Sequence, residues 1–174
     1  MKPLVSCDRN APWLSQIKGG WEKLALKYSA KINARTLPES TNPEREIRYI
    51  DISSVSSAGR IEKVELMQFR NAPSRTRRVV RYGDTLVSMV RTYLRAVAPV
   101  PEEDTDLIAS TGFAVVSPRQ SVLYPQFLAY WLQSKPFVDE VCARSVGVSY
   151  PATNASEVGA IPSPLPPLPT QKNI

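Results

Sequence analysis

Apolar positions along this chain change their period between its middle and its last third. From Glu46, the residues Ile47, Tyr49, Ile50, Ile52 and Val55 are β-branched or aromatic and end in Ser56-Ser57-Ala58-Gly59. Such residues fit a pleated, half-buried surface, so the segment predicts a strand followed by a turn. A weaker strand is expected between Ile61 and Phe69. Thr85-Leu86-Val87-Ser88-Met89-Val90-Arg91 follows the Gly83-Asp84 turn and predicts a third, with Arg91 at its end. Thr111 to Val116 predicts another. After Pro125 the spacing becomes helical: Phe127, Leu128, Trp131 and Leu132 recur at intervals of three to four, with proline suited to the first turn. Pro136 interrupts that pattern and opens a second helix with the stripe Phe137, Val138, Val141 and Cys142. The expected class is α+β: a mixed β-sheet of four or five strands with a C-terminal helical hairpin packed on it.

Between these elements lie segments without period. Trp13-Leu14 and Gly20-Trp21-Glu22-Lys23-Leu24 form a lead-in packed by aromatics, and Asn33 to Arg45 is polar and turn-rich. Arg70 to Arg78 contains Pro73 and no alternation, so it predicts a loop. Glu102 to Asp106 is an acidic, solvated loop, and Arg144 to Asn154 a polar one. Five prolines crowd into Pro162 to Pro169 and predict extended polyproline II. With 174 residues the chain suits one domain. Residues 1–160 are read as that domain and 161–174 as a Pro-rich linker.

Composition narrows the chemistry. The chain has no histidine, which removes Ser-His and Cys-His nucleophiles, most zinc sites and imidazole acid-base catalysis. No phosphate-cradling glycine motif or nucleophile elbow occurs, and Cys7 and Cys142 stand alone, without metal-ligand spacing. No catalytic residue, cofactor or metal is expected. The lack of an apolar run of roughly 18–20 residues argues against a membrane span, and the start lacks a signal peptide's apolar stretch. A cytoplasmic protein with reduced cysteines, Cys142 buried, is expected.

Charge adds a positive indication. Between Arg60 and Ala98 stand nine basic residues, eight of them arginine, against Glu62, Glu65 and Asp84. This window carries +6, the net charge of the whole chain, so the remainder sums to zero. Arginine's planar fork suits phosphate oxygens and the O6/N7 edge of guanine, and such a concentration is the footprint of a nucleic-acid binder. A solvated loop or an anionic protein partner would also accommodate it.

Ordered blocks along the chain resemble one family. They are Gly20-Trp21-Glu22 with Leu24; Tyr49-Ile50-Asp51-Ile52 leading to Gly59-Arg60-Ile61; Gly83 to Arg91; Ser110-Thr111-Gly112-Phe113-Ala114-Val115; Tyr130, Leu132 and Ser134; and Pro164-Leu165-Pro166-Pro167-Leu168 with Gln171 and Ile174. In this order they resemble type I restriction-modification specificity subunits over nearly the whole chain. The resemblance implies one target-recognition domain, reading half of a bipartite site in double-stranded DNA, with methylation and cleavage left to separate methyltransferase (modification) and restriction subunits. Thr170 departs from the family's glutamate. The chain stops at Ile174, where the family's spacer helix would begin, so a domain without that helix, and a monomer, is expected.

The DNA-binding candidates are Arg70, Arg75, Arg77 and Arg78 of the basic loop, then Arg81, Arg91 and Arg95. Arg75 and Arg77 share a face if that segment is extended. Tyr93 either stacks on DNA or is a half-buried strand tyrosine. Ser149, Tyr150, Thr153 and Asn154 form a second candidate loop, with Asn154 either pairing with adenine or capping a turn. Two competing readings are an adaptor whose Pro164-Leu165-Pro166-Pro167 binds an aromatic groove, and an enzyme using Asp51 and a glutamate.

Overall fold

The computed structural model describes residues 12–17, 19–101 and 106–174. The expectations for Cys7 and for the acidic loop through Thr105 lie outside the described residues.

The strands do not form one sheet. An antiparallel sheet runs β2 (Ala30–Ile32), β9 (Phe113–Pro118), β6 (Thr85–Ser88), β7 (Val97–Pro99). A mixed sheet runs β4 (Glu65–Gln68), β3 (Glu46–Ile50), β8 (Leu107–Ser110), β5 (Thr76–Val79), with β3 and β8 parallel. β1 (Glu22–Ala25) and β10 (Pro162–Leu165) form a separate ribbon. The α+β class holds, with the expected sheet replaced by two of four strands.

The side-chain alternation explains the stacking. Val87, Ala114 and Val116 face one core with Phe127, Leu128, Leu132, Phe137, Val138 and Val141. Their neighbours Leu86, Phe113 and Val115 face the opposite way, into a core with Ile50, Leu107 and Ala109 of the mixed sheet. Ile47, Tyr49 and Ile108 then point to the far side of that sheet, where Leu37, Phe69 and Ala72 cover them. The antiparallel sheet is therefore buried on both faces, which is why β6 and β9 read as nearly continuous apolar runs rather than alternating ones. Burying those methyl and phenyl groups supplies the main stabilising term.

The expected hairpin is α2 (Pro125–Gln133) and α3 (Lys135–Ala143). Each starts with proline in its first turn, and α2 packs across β6 and β7. Trp131 joins the hairpin to the lead-in, its ring centroid 5.0 Å from Trp13 and 5.9 Å from Phe137. Cys142 is half-buried and its thiol donates to the Thr92 carbonyl at 3.3 Å.

Three expectations change. Leu107–Ser110 was not expected as a strand, yet β8 lies in the middle of the mixed sheet. Arg77 and Arg78 belong to strand β5 rather than to a loop, and the strand's outer side is bonded to the preceding segment, Leu37 N–H donating to the Arg77 carbonyl at 2.8 Å and Val79 N–H to the Arg35 carbonyl at 3.2 Å. The proline-rich segment is extended but not a free linker: Pro162, Ser163 and Pro164 are buried and Ser163 Oγ accepts from Trp131 Nε1 at 2.9 Å. Proline fits there because a two-stranded ribbon has free edges. Beyond it, α5 (Leu168–Lys172) is tied down by buried Gln171, which donates to the carbonyls of Val122 and Pro166 and accepts from Tyr124 N–H.

Candidate nucleic-acid interface

The registers bring several strand ends to one rim. β3 and β8 run parallel and end together, Ile50 beside Ala109, and β5 starts where β8 ends, Thr76 opposite Ser110. The Thr111-Gly112 turn carries the chain from β8 into β9, whose first residue Phe113 lies opposite Ser88 at the end of β6. A cleft of about 440 Å³ opens at this rim, lined by Asp51, Ser53, Arg75, Arg91, Ser110 and Thr111 among others.

Arg75 is held there by a small network. Its Nε donates to Tyr49 Oη at 3.3 Å and its Nη2 to Asp51 Oδ2 at 3.2 Å, while Tyr49 Oη donates to Asp51 Oδ1 at 3.2 Å. The Tyr49 hydroxyl first, and the Asp51 charge second, push the Arg75 guanidinium further up from its ordinary range. Its charge is therefore permanent at any working pH. Asp51 itself is committed to this ion pair and to the turn after β3, where its N–H donates to Ser54 Oγ at 3.2 Å.

Arg91 lies three residues beyond β6, not at its end. It adopts a left-handed conformation, φ 50° and ψ 48°, ahead of a tight turn over Thr92–Leu94. Its guanidinium carbon sits 5.4 Å from the Tyr150 ring centroid, a cation–π distance. Tyr93 in that turn is 55% exposed, which sets aside the half-buried strand reading. Arg95, also left-handed, donates to Asp139 Oδ1 of α3 at 2.7 Å. Lys135 bonds the same carboxylate, and these bonds, Lys135's first, hold Asp139 below the usual carboxylate range.

The remaining candidates lie elsewhere. Arg70 pairs with Glu44 at 2.7 Å near the start of β3, and Arg81 enters the turn before β6; both are at the end opposite the rim. Next to that turn, buried Asp84 accepts from the Arg81 N–H and is ion-paired with Arg35. Arg77 lies over the Phe69 ring at 5.3 Å, and Arg78 Nη1 donates to Thr36 Oγ1 at 3.3 Å. The β5 register is irregular between Thr76 and Arg78. A bulge of this kind breaks the strict alternation that would place Arg75 and Arg77 on one face. Asn154 caps α4 (Ala155–Ala160), its Oδ1 accepting from Glu157 N–H at 3.0 Å, so of its two possible roles the cap is the one observed. Ser149 and Tyr150 are exposed on the loop beside Arg91.

The structure thus gathers Arg75, Arg91, Tyr93, Arg95, Ser149 and Tyr150 around one rim and leaves Arg70, Arg77, Arg78 and Arg81 off it. Ser53, Ser110 and Thr111 were missed as cleft residues. The signal for the last two was the Ser110-Thr111-Gly112 block, whose glycine keeps the turn close against its neighbours: a Cβ there would crowd Ile52 Cδ1 at 3.1 Å and Val90 Cγ2 at 3.3 Å.

Fold and rim define an α+β domain in which two stacked sheets display arginine- and tyrosine-bearing loops at one end. Among solved structures the chain is similar to the HsdS subunit from Thermoanaerobacter tengcongensis, at 31% identity and TM-score 0.78, over 89% of this chain and 40% of that one. It is also similar to a chain from a study of complex assembly and conformational transition of the type I R-M system, at 32% identity and TM-score 0.80, over 90% of this chain and 40% of the other. The type I restriction-modification S subunit from M. genitalium shares the fold, with TM-score 0.52 at 15% identity over 94% of this chain and 37% of that one. No family model matches the sequence, and no curated protein matches it. The resemblance to type I specificity subunits is therefore shown over most of the chain, and the chain spans about two-fifths of the length of those relatives. Among the described residues no helix is long and apolar enough to cross a membrane.

Proposed function

We propose that this chain is a target-recognition domain of a type I restriction-modification specificity subunit, whose rim faces double-stranded DNA and reads half of a bipartite site. The observation that carries this reading is the convergence of Arg75, Arg91 and Tyr150, from three separate segments, beside one open cleft. Arginines neutralise phosphates and fix register, and those held rigidly by a sheet frame can address base edges. The domain acts without catalysis of its own and directs methyltransferase and restriction subunits. Among the described residues the carboxylate at the rim cleft is Asp51, which is engaged by Arg75 and by its own turn.

The adaptor reading loses its main support, because Pro162, Pro164 and Pro166 are buried in the domain instead of displayed as a ligand. We further propose that the isolated chain is monomeric and that α5 points the way into the spacer helix of a longer protein. The test is a graft. This chain replaces the matching portion of a solved HsdS relative, the hybrid is assembled with its modification subunits, and methylated positions are mapped. A new half-site with the other half retained is expected; an unchanged methylation pattern from an assembled, active hybrid would contradict the reading.

A further inference from the structure

Val146, Val148 and Tyr150 are 82%, 101% and 70% exposed and alternate along one stretch of chain. Single exposed apolar residues are ordinary, but these stand on a fixed support. Val146 and Ala152 exchange both backbone hydrogen bonds, at 2.9 and 3.0 Å, and Thr153 N–H donates to the Met89 carbonyl at 2.8 Å. Ala152 also bridges Val90. The residues between form a closed loop pinned beside the end of β6. Gly147 makes its turn at φ +113°, where a side chain would be strained and would meet the Tyr150 carbonyl. On one side of the loop Arg91 stacks against Tyr150. An uncharged, methyl-bearing tip therefore stands next to a cation, in full solvent, on the rim.

We propose that Val148 contacts the 5-methyl group of a thymine in the major groove, next to a phosphate or guanine held by Arg91. This rests on the reading of the rim as the DNA face. The major groove presents the thymine methyl as its apolar group, and a valine isopropyl has nothing to offer any donor or acceptor there. The charge of Arg91 beside the loop suits a polyanion rather than an apolar protein surface. Valine is stiff at χ1, so a small tip of this kind loses little freedom on contact. Burying one methyl group against it would strengthen binding about four-fold.

The experiment is a selection by the whole chain from two random duplex libraries at low salt, one containing thymine and one containing uracil in its place. Wild type is compared with Val148→Ala and Val148→Ser, which fold normally because the side chain touches nothing; their urea midpoints verify this. The proposal expects wild type to enrich an A·T position from the thymine library, to lose it from the uracil library, and both variants to lose it from either. Direct titration of the selected duplex should show about a four-fold weakening on replacing that thymine by uracil, for wild type only. If wild type selects the same positions with equal strength from both libraries, the methyl contact is wrong while the DNA reading stands. If no library is enriched, the DNA reading falls and this inference with it.

Discussion

Gln171 is the most heavily bonded side chain in the C-terminal segment, and its removal gives a sharp prediction. It is 2% exposed, accepts from Tyr124 N–H at 2.8 Å, and donates to the Val122 and Pro166 carbonyls at 2.9 and 2.8 Å. Gln171→Ala leaves one donor and two acceptors without their partner and opens a void. An unsatisfied buried group costs about 1–3 kcal/mol, and carbonyls with a second lone pair or access to water cost least. Taking all three groups at the low end gives a loss of about 3 kcal/mol. With a urea slope of about 1–3 kcal/mol per molar, the midpoint should drop by roughly 1–3 M. Gln171→Met keeps the volume and loses the same bonds, so it should cost nearly as much. Equilibrium urea unfolding by far-UV circular dichroism measures both. If both variants lie within about 0.5 kcal/mol of wild type, a margin typical of unremarkable surface substitutions, then Gln171 does not anchor the segment and the proline-rich tail is held by something else.

Two further outcomes follow from the charged groups. Arg35→Ala removes the ion-pair partner of Asp84, whose side chain is 4% exposed and, among the described residues, keeps the Arg81 N–H; a fully buried pair broken this way costs about 3–5 kcal/mol, and because Arg35 is partly solvated a loss of about 2 kcal/mol is expected in the same urea assay. Asp139 is held below its ordinary range in the folded state by Lys135 and Arg95, so its contribution is present above the unfolded-state pKa and lost as pH falls through the lower folded value. Wild type and Asp139→Asn should therefore differ in thermal midpoint at pH 6, with the gap narrowing as pH falls below the ordinary carboxylate range; a gap that widens on acidification would show the sign to be wrong.

The parts of the fold that were readable from sequence are those with a single buried face. The helix stripes at Phe127–Leu132 and Phe137–Cys142 are of this kind, because one period marks one face. The assignment of strands to sheets was not readable, because Leu86 and Val87 are both fully buried and face different layers. A run buried on both sides carries no alternation to say which neighbour it meets. β8 was hidden for the same reason: Leu107, Ile108 and Ala109 are all buried in so short a run. The proline-rich segment misled because composition alone sets its extended shape, whereas its pairing with Glu22–Ala25 is a tertiary fact. At the candidate site the residue types were legible and their grouping was not. Arg75 and Arg91 stand sixteen positions apart and meet only because β5 starts, and β6 ends, at one rim. Arg70 and Arg81, equally basic in sequence, are carried to the opposite end by the directions of β4 and β5.

That separation makes the central claim directly measurable. Binding of a fluorescent duplex by the purified chain is followed across a salt series for wild type, for a rim triple Arg75→Ala, Arg91→Ala, Arg95→Ala, and for an off-rim double Arg70→Ala, Arg81→Ala. Each phosphate contact contributes about 0.9 to the slope of log affinity against log salt. The rim triple should lose about two to three units of slope and most of its affinity, while the double keeps the wild-type line. A triple that binds as wild type does, or a double that loses the slope instead, would place DNA on another face and contradict the account.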